Sequence, residues 1–152
     1  MRNLTLIILL LFLSSCGYSS IYKNQKSVDF KINFLSEEGD REMNNLIKNE
    51  IKLYSNTDSV NIYNVKIDSD YKKKVLTKNS SGVVTDYNLS VTSIFSINLK
   101  DQNKTLKFDE NINIKNETDT FEQNAYEKNI KRNFASSIRE KLFSVVLSIN
   151  DN

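Results

Sequence analysis

At 152 residues the chain has room for one hydrophobic core and not for two of ordinary size. Its 39% hydrophobic and 26% charged residues fit a globular domain, and a net charge of +2 recommends neither nucleic acid nor an anionic surface as main partner. There is no His and a single Cys, which removes the usual general base, the usual transition-metal ligand, any internal disulfide and any thiolate metal site.

Met1-Arg2-Asn3 is a short positive segment, followed from Leu4 to Leu13 by a run of apolar residues. About ten such residues are too few for a bilayer span, which needs about 20, but suit the core of a signal peptide. The run ends in Leu13-Ser14-Ser15-Cys16, which resembles a bacterial lipobox. A thiol is the nucleophile that accepts a diacylglycerol, and the small residues before it admit a membrane peptidase. Acylation of the freed Cys16 amine as well would supply the second chain that stable anchoring requires. We therefore expect a lipoprotein signal peptide over 1–15, a lipidated tether over 16–27 and a single α+β domain over 28–152. Cleavage removes Arg2 and brings the 21 basic side chains to 20, against 19 acidic ones. Gly17 rather than Asp follows the cysteine; by resemblance to enterobacterial sorting, that permits the outer membrane.

From Val28 the pattern alternates, Val28, Phe30, Ile32 and Phe34 against Asp29, Lys31 and Asn33, as in a half-buried strand. Ser36 to Asp40 reads as a turn leading to an acidic helix start. Met43, Leu46, Ile47, Ile51 and Tyr54 then recur at helical spacing up to Ser55-Asn56. A strand is expected from Val60 to about Thr77, carrying Ile62, Tyr63, Val65 and Ile67 into the basic run Lys72-Lys73-Lys74. Lys78 to Gly82 is a turn. The strongest alternation follows, with Tyr87, Leu89, Val91, Phe95, Ile97 and Leu99 on one face and polar residues on the other. Asp101 to Lys104 reads as a second turn, and Leu106, Phe108, Ile112 and Ile114 line a further strand. Thr118-Asp119-Thr120 offers a cap for a long closing helix. Its apolar stripe is Tyr126, Ile130, Phe134, Ile138, Leu142, Val145 and Ile149, and its basic residues Lys131, Arg132, Arg139 and Lys141 come late, as the helix dipole prefers. The order β-α-β-β-β-α gives an α+β domain: two helices on one face of a four-stranded mixed or antiparallel sheet, the other face polar.

None of the 19 acidic residues falls in a recognisable catalytic spacing, so no enzyme and no cofactor is expected. The element order, the segment Cys16-Gly17-Tyr18-Ser19-Ser20-Ile21-Tyr22 and the stretch Ala125 to Leu142, "AYEKNIKRNFASSIREKL", together resemble the LPS-assembly lipoprotein family LptE in its alphaproteobacterial form. Ser20 stands where that family commonly has Pro. The resemblance implies a non-enzymatic outer-membrane lipoprotein, facing the periplasm, that plugs the lumen of the β-barrel LptD and helps lipopolysaccharide reach the surface. A sheet face of Ser, Thr, Asn and Asp suits a polar lumen, or simply meets water. Lys72, Lys73, Lys74 and Lys78 could meet lipopolysaccharide phosphates through charge-assisted hydrogen bonds, or form a solvated strand end. Arg139 suits the helix dipole and an ion pair with a neighbouring acid. An accessory lipoprotein of a periplasmic lipid-transport ABC system is the alternative, distinguished by its partner.

Overall fold

The computed structural model describes residues 28–99 and 102–150. The signal peptide, the tether and Cys16 lie outside these residues. The chain runs β1 (Lys31–Gly39), α1 (Arg41–Tyr54), β2 (Ile62–Lys78), β3 (Val84–Leu99), β4 (Gln102–Lys115) and α2 (Thr120–Asn150). The sheet order is β1-β2-β3-β4. β1 pairs parallel to β2, while β2–β3 and β3–β4 are antiparallel. This is the expected α+β arrangement, with a parallel β1-α1-β2 crossover joined to a three-stranded meander.

Local chemistry sets the boundaries. Asp40 caps α1, its Oδ1 accepting from the Met43 amide at 2.8 Å, and Ser55 closes it through Oγ to the Ile51 carbonyl at 2.6 Å. Asp119 caps α2 by accepting from the amides of Phe121 and Glu122. Asn79 organises the β2–β3 turn. Its Oδ1 accepts from Ser81 and Val83, and Gly82 takes φ +79°.

The core lies between one sheet face and the two helices. Val65, Ile67, Leu89, Val91, Phe95 and Ile97 from the sheet meet Met43, Ile47 and Ile51 of α1 and Ile130, Phe134, Ile138 and Leu142 of α2. Phe30 packs edge-on to Phe143 at 5.1 Å and to Tyr63 at 5.6 Å. Ser69 and Ser93, both buried, satisfy each other across β2 and β3 at 2.8 Å.

Four sequence expectations are corrected. Ser36 to Gly39 is strand rather than turn. The parallel register slips between Phe34 and Ser36, leaving Leu35 as an extra residue, and then continues to Gly39 opposite Ser69. Gln102 to Lys104 belongs to β4, pairing back onto Leu99 to Ile97, with Asp101 outside the described residues. On α2, Tyr126 is exposed, whereas Ala135, Arg139, Phe143 and Val146 are buried. The buried stripe is wider than one row because α2 packs on α1 as well as on the sheet. Finally, no basic residue occupies the last turn of α2. Lys131 and Lys141 instead pair with Glu42 and Glu110, at 2.5 and 2.6 Å, and are too far from the terminus to feel the dipole strongly.

Candidate interaction surface

The sheet face opposite the helices is uncovered by the described chain. Alternation places Lys66, Asp68, Asp70, Lys72 and Lys74 of β2 beside Ser96, Ile94, Thr92, Ser90 and Asn88 of β3, and these beside Thr105, Lys107, Asp109, Asn111 and Asn113 of β4. Ile94 is the one apolar residue in those rows. Cross-strand side chains tie the surface together: Asn33 to Asn64 at 2.9 Å, Asn88 to Asn113 at 2.8 Å and Thr92 to Asp109 at 2.5 Å. Near the hairpin end, Thr77 and Thr85 both donate to Asp86.

Two carboxyls on this face are held below the ordinary carboxylate range. Hydrogen bonds from Thr77 and Thr85, then the charge of Lys115, favour ionised Asp86. Thr92, then Lys107 and Lys141, do the same for Asp109. At the opposite end of the face, Leu35, Asn64, Lys66, Ser96, Asn98 and Asn103 border a shallow depression.

The four lysines singled out in the sequence do not form one cluster. Lys72 and Lys74 stand on the open face, Lys72 paired with Asp70. Lys73 points to the helix side, where it pairs with Glu127 and lies 4.1 Å over the Tyr87 ring. Lys78 sits at the turn, opposite Val84. Among the described residues, Lys74 and Lys78 have no ion-pair partner.

No local pattern in the sequence singles out Glu127. It accepts from Lys73 and from Gln123 Nε2 at 2.7 Å. Together with burial, Glu127, Glu42 and Asp40 push the Tyr71 phenol up to about 12. Tyr71 also lies beneath Lys131, 4.4 Å from its ring centroid, and its hydroxyl is buried without a hydrogen-bond partner among the described residues. Glu110 occupies the gap in the β4 apolar row between Phe108 and Ile112, bonding Ser137 and Lys141. That break in the alternation is the visible sign of a polar contact to α2.

Arg139 is 8% exposed in the middle of α2. It pairs with Glu140 at 3.3 Å, as expected, but it also stacks 4.1 Å over the Tyr54 ring and donates to Ser136. Its role joins the two helices. Among the described residues no group of three or more metal-binding side chains comes together, and no helix is long and apolar enough to cross a membrane.

No protein-family model matches the chain, and no curated protein matches it. Solved structures do. Rare lipoprotein B from Shewanella oneidensis is similar with a TM-score of 0.57 at 17% identity, over 78% of this chain and 99% of that one. A protein of Caulobacter crescentus described as a lipoprotein gives 0.54 at 11% identity, over 73% and 83%. These likenesses establish the fold.

Proposed function

We propose that the chain is an outer-membrane lipoprotein of the LptE type, anchored through Cys16, that seats against the lumen of the β-barrel LptD during lipopolysaccharide assembly. The observation that carries this reading is the open face of the sheet. A four-stranded layer that its own helices leave bare, faced with Asn, Ser, Thr, Asp and Lys and stiffened by cross-strand hydrogen bonds, matches the polar wall inside an outer-membrane barrel. The shared fold with rare lipoprotein B and the resemblance carried by Cys16 to Tyr22 point the same way. The twelve residues from Cys16 to Ser27 are enough chain to span at most about 40 Å between anchor and domain. Lys74 and Lys78, which have no ion-pair partner among the described residues, are the ammonium groups available to lipopolysaccharide phosphates. Lys73 is already neutralised by Glu127.

The test is purification of the native lipoprotein from solubilised membranes under mild detergent, with identification of what accompanies it. A large outer-membrane barrel is expected. Recovery of a periplasmic binding protein or an ABC permease in its place, or of no barrel at all, refutes the proposal.

A further inference from the structure

The sheet is unfinished on one side. β1 stops at Gly39, opposite Ser69. There φ +77° turns the chain away, and the Asp40 amide donates to the Ser69 carbonyl at 2.5 Å. β2 continues from Asp70 to Lys78, hydrogen-bonded to β3 on one side. Among the described residues nothing pairs with its other edge. All residues from Lys72 to Lys78 are exposed, including Val75, which points to the helix side and is still 49% exposed. The edge is regular from Asp70 to Val75, about 20 Å, before the register with β3 shifts on either side of Thr77; over that length it presents outward N–H and C=O groups at alternate residues, a template for strand addition.

We propose that this edge receives an extended segment of a partner polypeptide, added in line with β1, with acidic side chains at alternate positions over the open sheet face. The charge pattern selects that occupant. Lys72 and Lys74 project from the edge onto the open face, where Asp70 already pairs with Lys72, and Lys78 closes it; Lys74 and Lys78, which lack ion-pair partners among the described residues, carry the uncompensated positive charge. A second copy of the chain suits the edge less well, because two such edges paired about a two-fold axis at Lys73 or Lys74 set lysine against lysine on the open face. On the helix side the added strand meets a cleft lined by Glu42, Asn124, Glu127, Lys128 and Lys131. The edge residues Tyr71 and Lys73 touch its walls through Lys131 and Glu127. Side chains of the added strand on that side are therefore polar rather than apolar. A segment of that chemistry fits the edge whether or not it belongs to the barrel.

Amide hydrogen exchange on the full-length protein in detergent micelles tests it, with three synthetic decapeptides as probes. One alternates Glu with Thr, one alternates Lys with Thr, and one is the Glu–Thr peptide N-methylated along one edge. With the Glu–Thr peptide at about ten times its Kd, alternate amides between Asp70 and Val75 should exchange about tenfold more slowly, and β3 amides should not change. The other two peptides should give no protection. In the Lys72→Glu/Lys74→Glu variant, altered only at exposed positions, the preference should pass to the Lys–Thr peptide. Absence of protection by any peptide would mean the lysines merely guard the edge and overturns the proposal. Equal protection by the Glu and Lys peptides overturns the acidic partner. Protection that rises with protein concentration in the absence of peptide assigns the edge to a second copy and overturns it equally.

Discussion

Replacing Gly39 by Ala places a methyl group where the β1-α1-β2 crossover leaves no space. The added Cβ would stand 2.5 Å from Asp68 Oδ1 and closer still to the Ser69 carbonyl oxygen, which is backbone and cannot rotate aside. Two costs combine. An Ala held at φ +77° costs about 1–2 kcal/mol. Relieving the clash moves β1 away from Ser69 and forfeits the hydrogen bond from the Asp40 amide, about another 1–2 kcal/mol. The expected loss is about 2–4 kcal/mol, or about 8–16 °C in Tm for a domain of this size. Gly82 supplies the control, because its φ is +79° but no atom lies within 4 Å of where its methyl would stand. Gly82→Ala should therefore cost only the conformational part, about 1–2 kcal/mol. Both variants gain the same unfolded-state entropy term, so it cancels in the comparison. Urea unfolding followed by far-ultraviolet circular dichroism reads the difference. Equal destabilisation of the two variants would refute the close approach of β1 to Ser69.

Other variants probe the core, the surface and the buried charge. Phe30→Ala, which removes a fully buried ring from between Phe143 and Tyr63, should cost about 3–5 kcal/mol in the same unfolding assay. Arg139→Met keeps an apolar stem in the buried position and removes a desolvated guanidinium that stacks over the Tyr54 ring and whose Nε has no partner among the described residues. It should be neutral or stabilising by about 1 kcal/mol, whereas Arg139→Ala should destabilise. Tyr71 should ionise near pH 12, read as loss of one late step in an ultraviolet absorbance titration of the Tyr71→Phe variant. Its folded pKa is raised, so its contribution to stability is complete below its unfolded value, about 10, and is lost as pH climbs toward 12. The Lys74→Gln/Lys78→Gln double variant should weaken lipopolysaccharide binding by about 1.4 kcal/mol, or tenfold. Lys73→Gln should leave binding unchanged, and equal losses would refute the division of the lysines.

Periodicity made most of the fold legible. Alternation through Leu89, Val91, Phe95 and Ile97, and helical spacing through Ile130, Phe134 and Ile138, each identify a face that is in fact buried. Legibility failed where a residue's place depends on a distant strand. Ser36 to Gly39 has the composition of a turn and becomes strand only because the far-off Lys66 to Ser69 offers a parallel edge. Leu35 breaks the period as the bulge residue, so alternation could not be followed past Phe34. The lysines erred in the opposite sense. Reading β2 as a strand already implied that Lys73 faces away from Lys72 and Lys74, but adjacency in sequence suggested a patch. The partner that fixes Lys73, Glu127, lies 54 positions away, beyond the reach of local pattern. The open polar face was legible from the Asn, Ser and Thr of β3; the bare edge of β2 was not, since it depends on where β1 stops.

Strand neighbours in space are strand neighbours along the chain, from β1 through to β4. Such wiring orders the folding reaction. The β3–β4 hairpin closes on Leu99 and Gln102, while β1 reaches β2 only by bringing Lys31 to Ile62. By loop-closure entropy the second event costs about 2 kcal/mol more, before any parallel hydrogen bond forms to offset it. The meander and the long helix that returns over it are thus the natural nucleus, and β1 joins late. On this entropy ordering β1, the strand nearest Cys16 in the sequence, is expected to be fixed last.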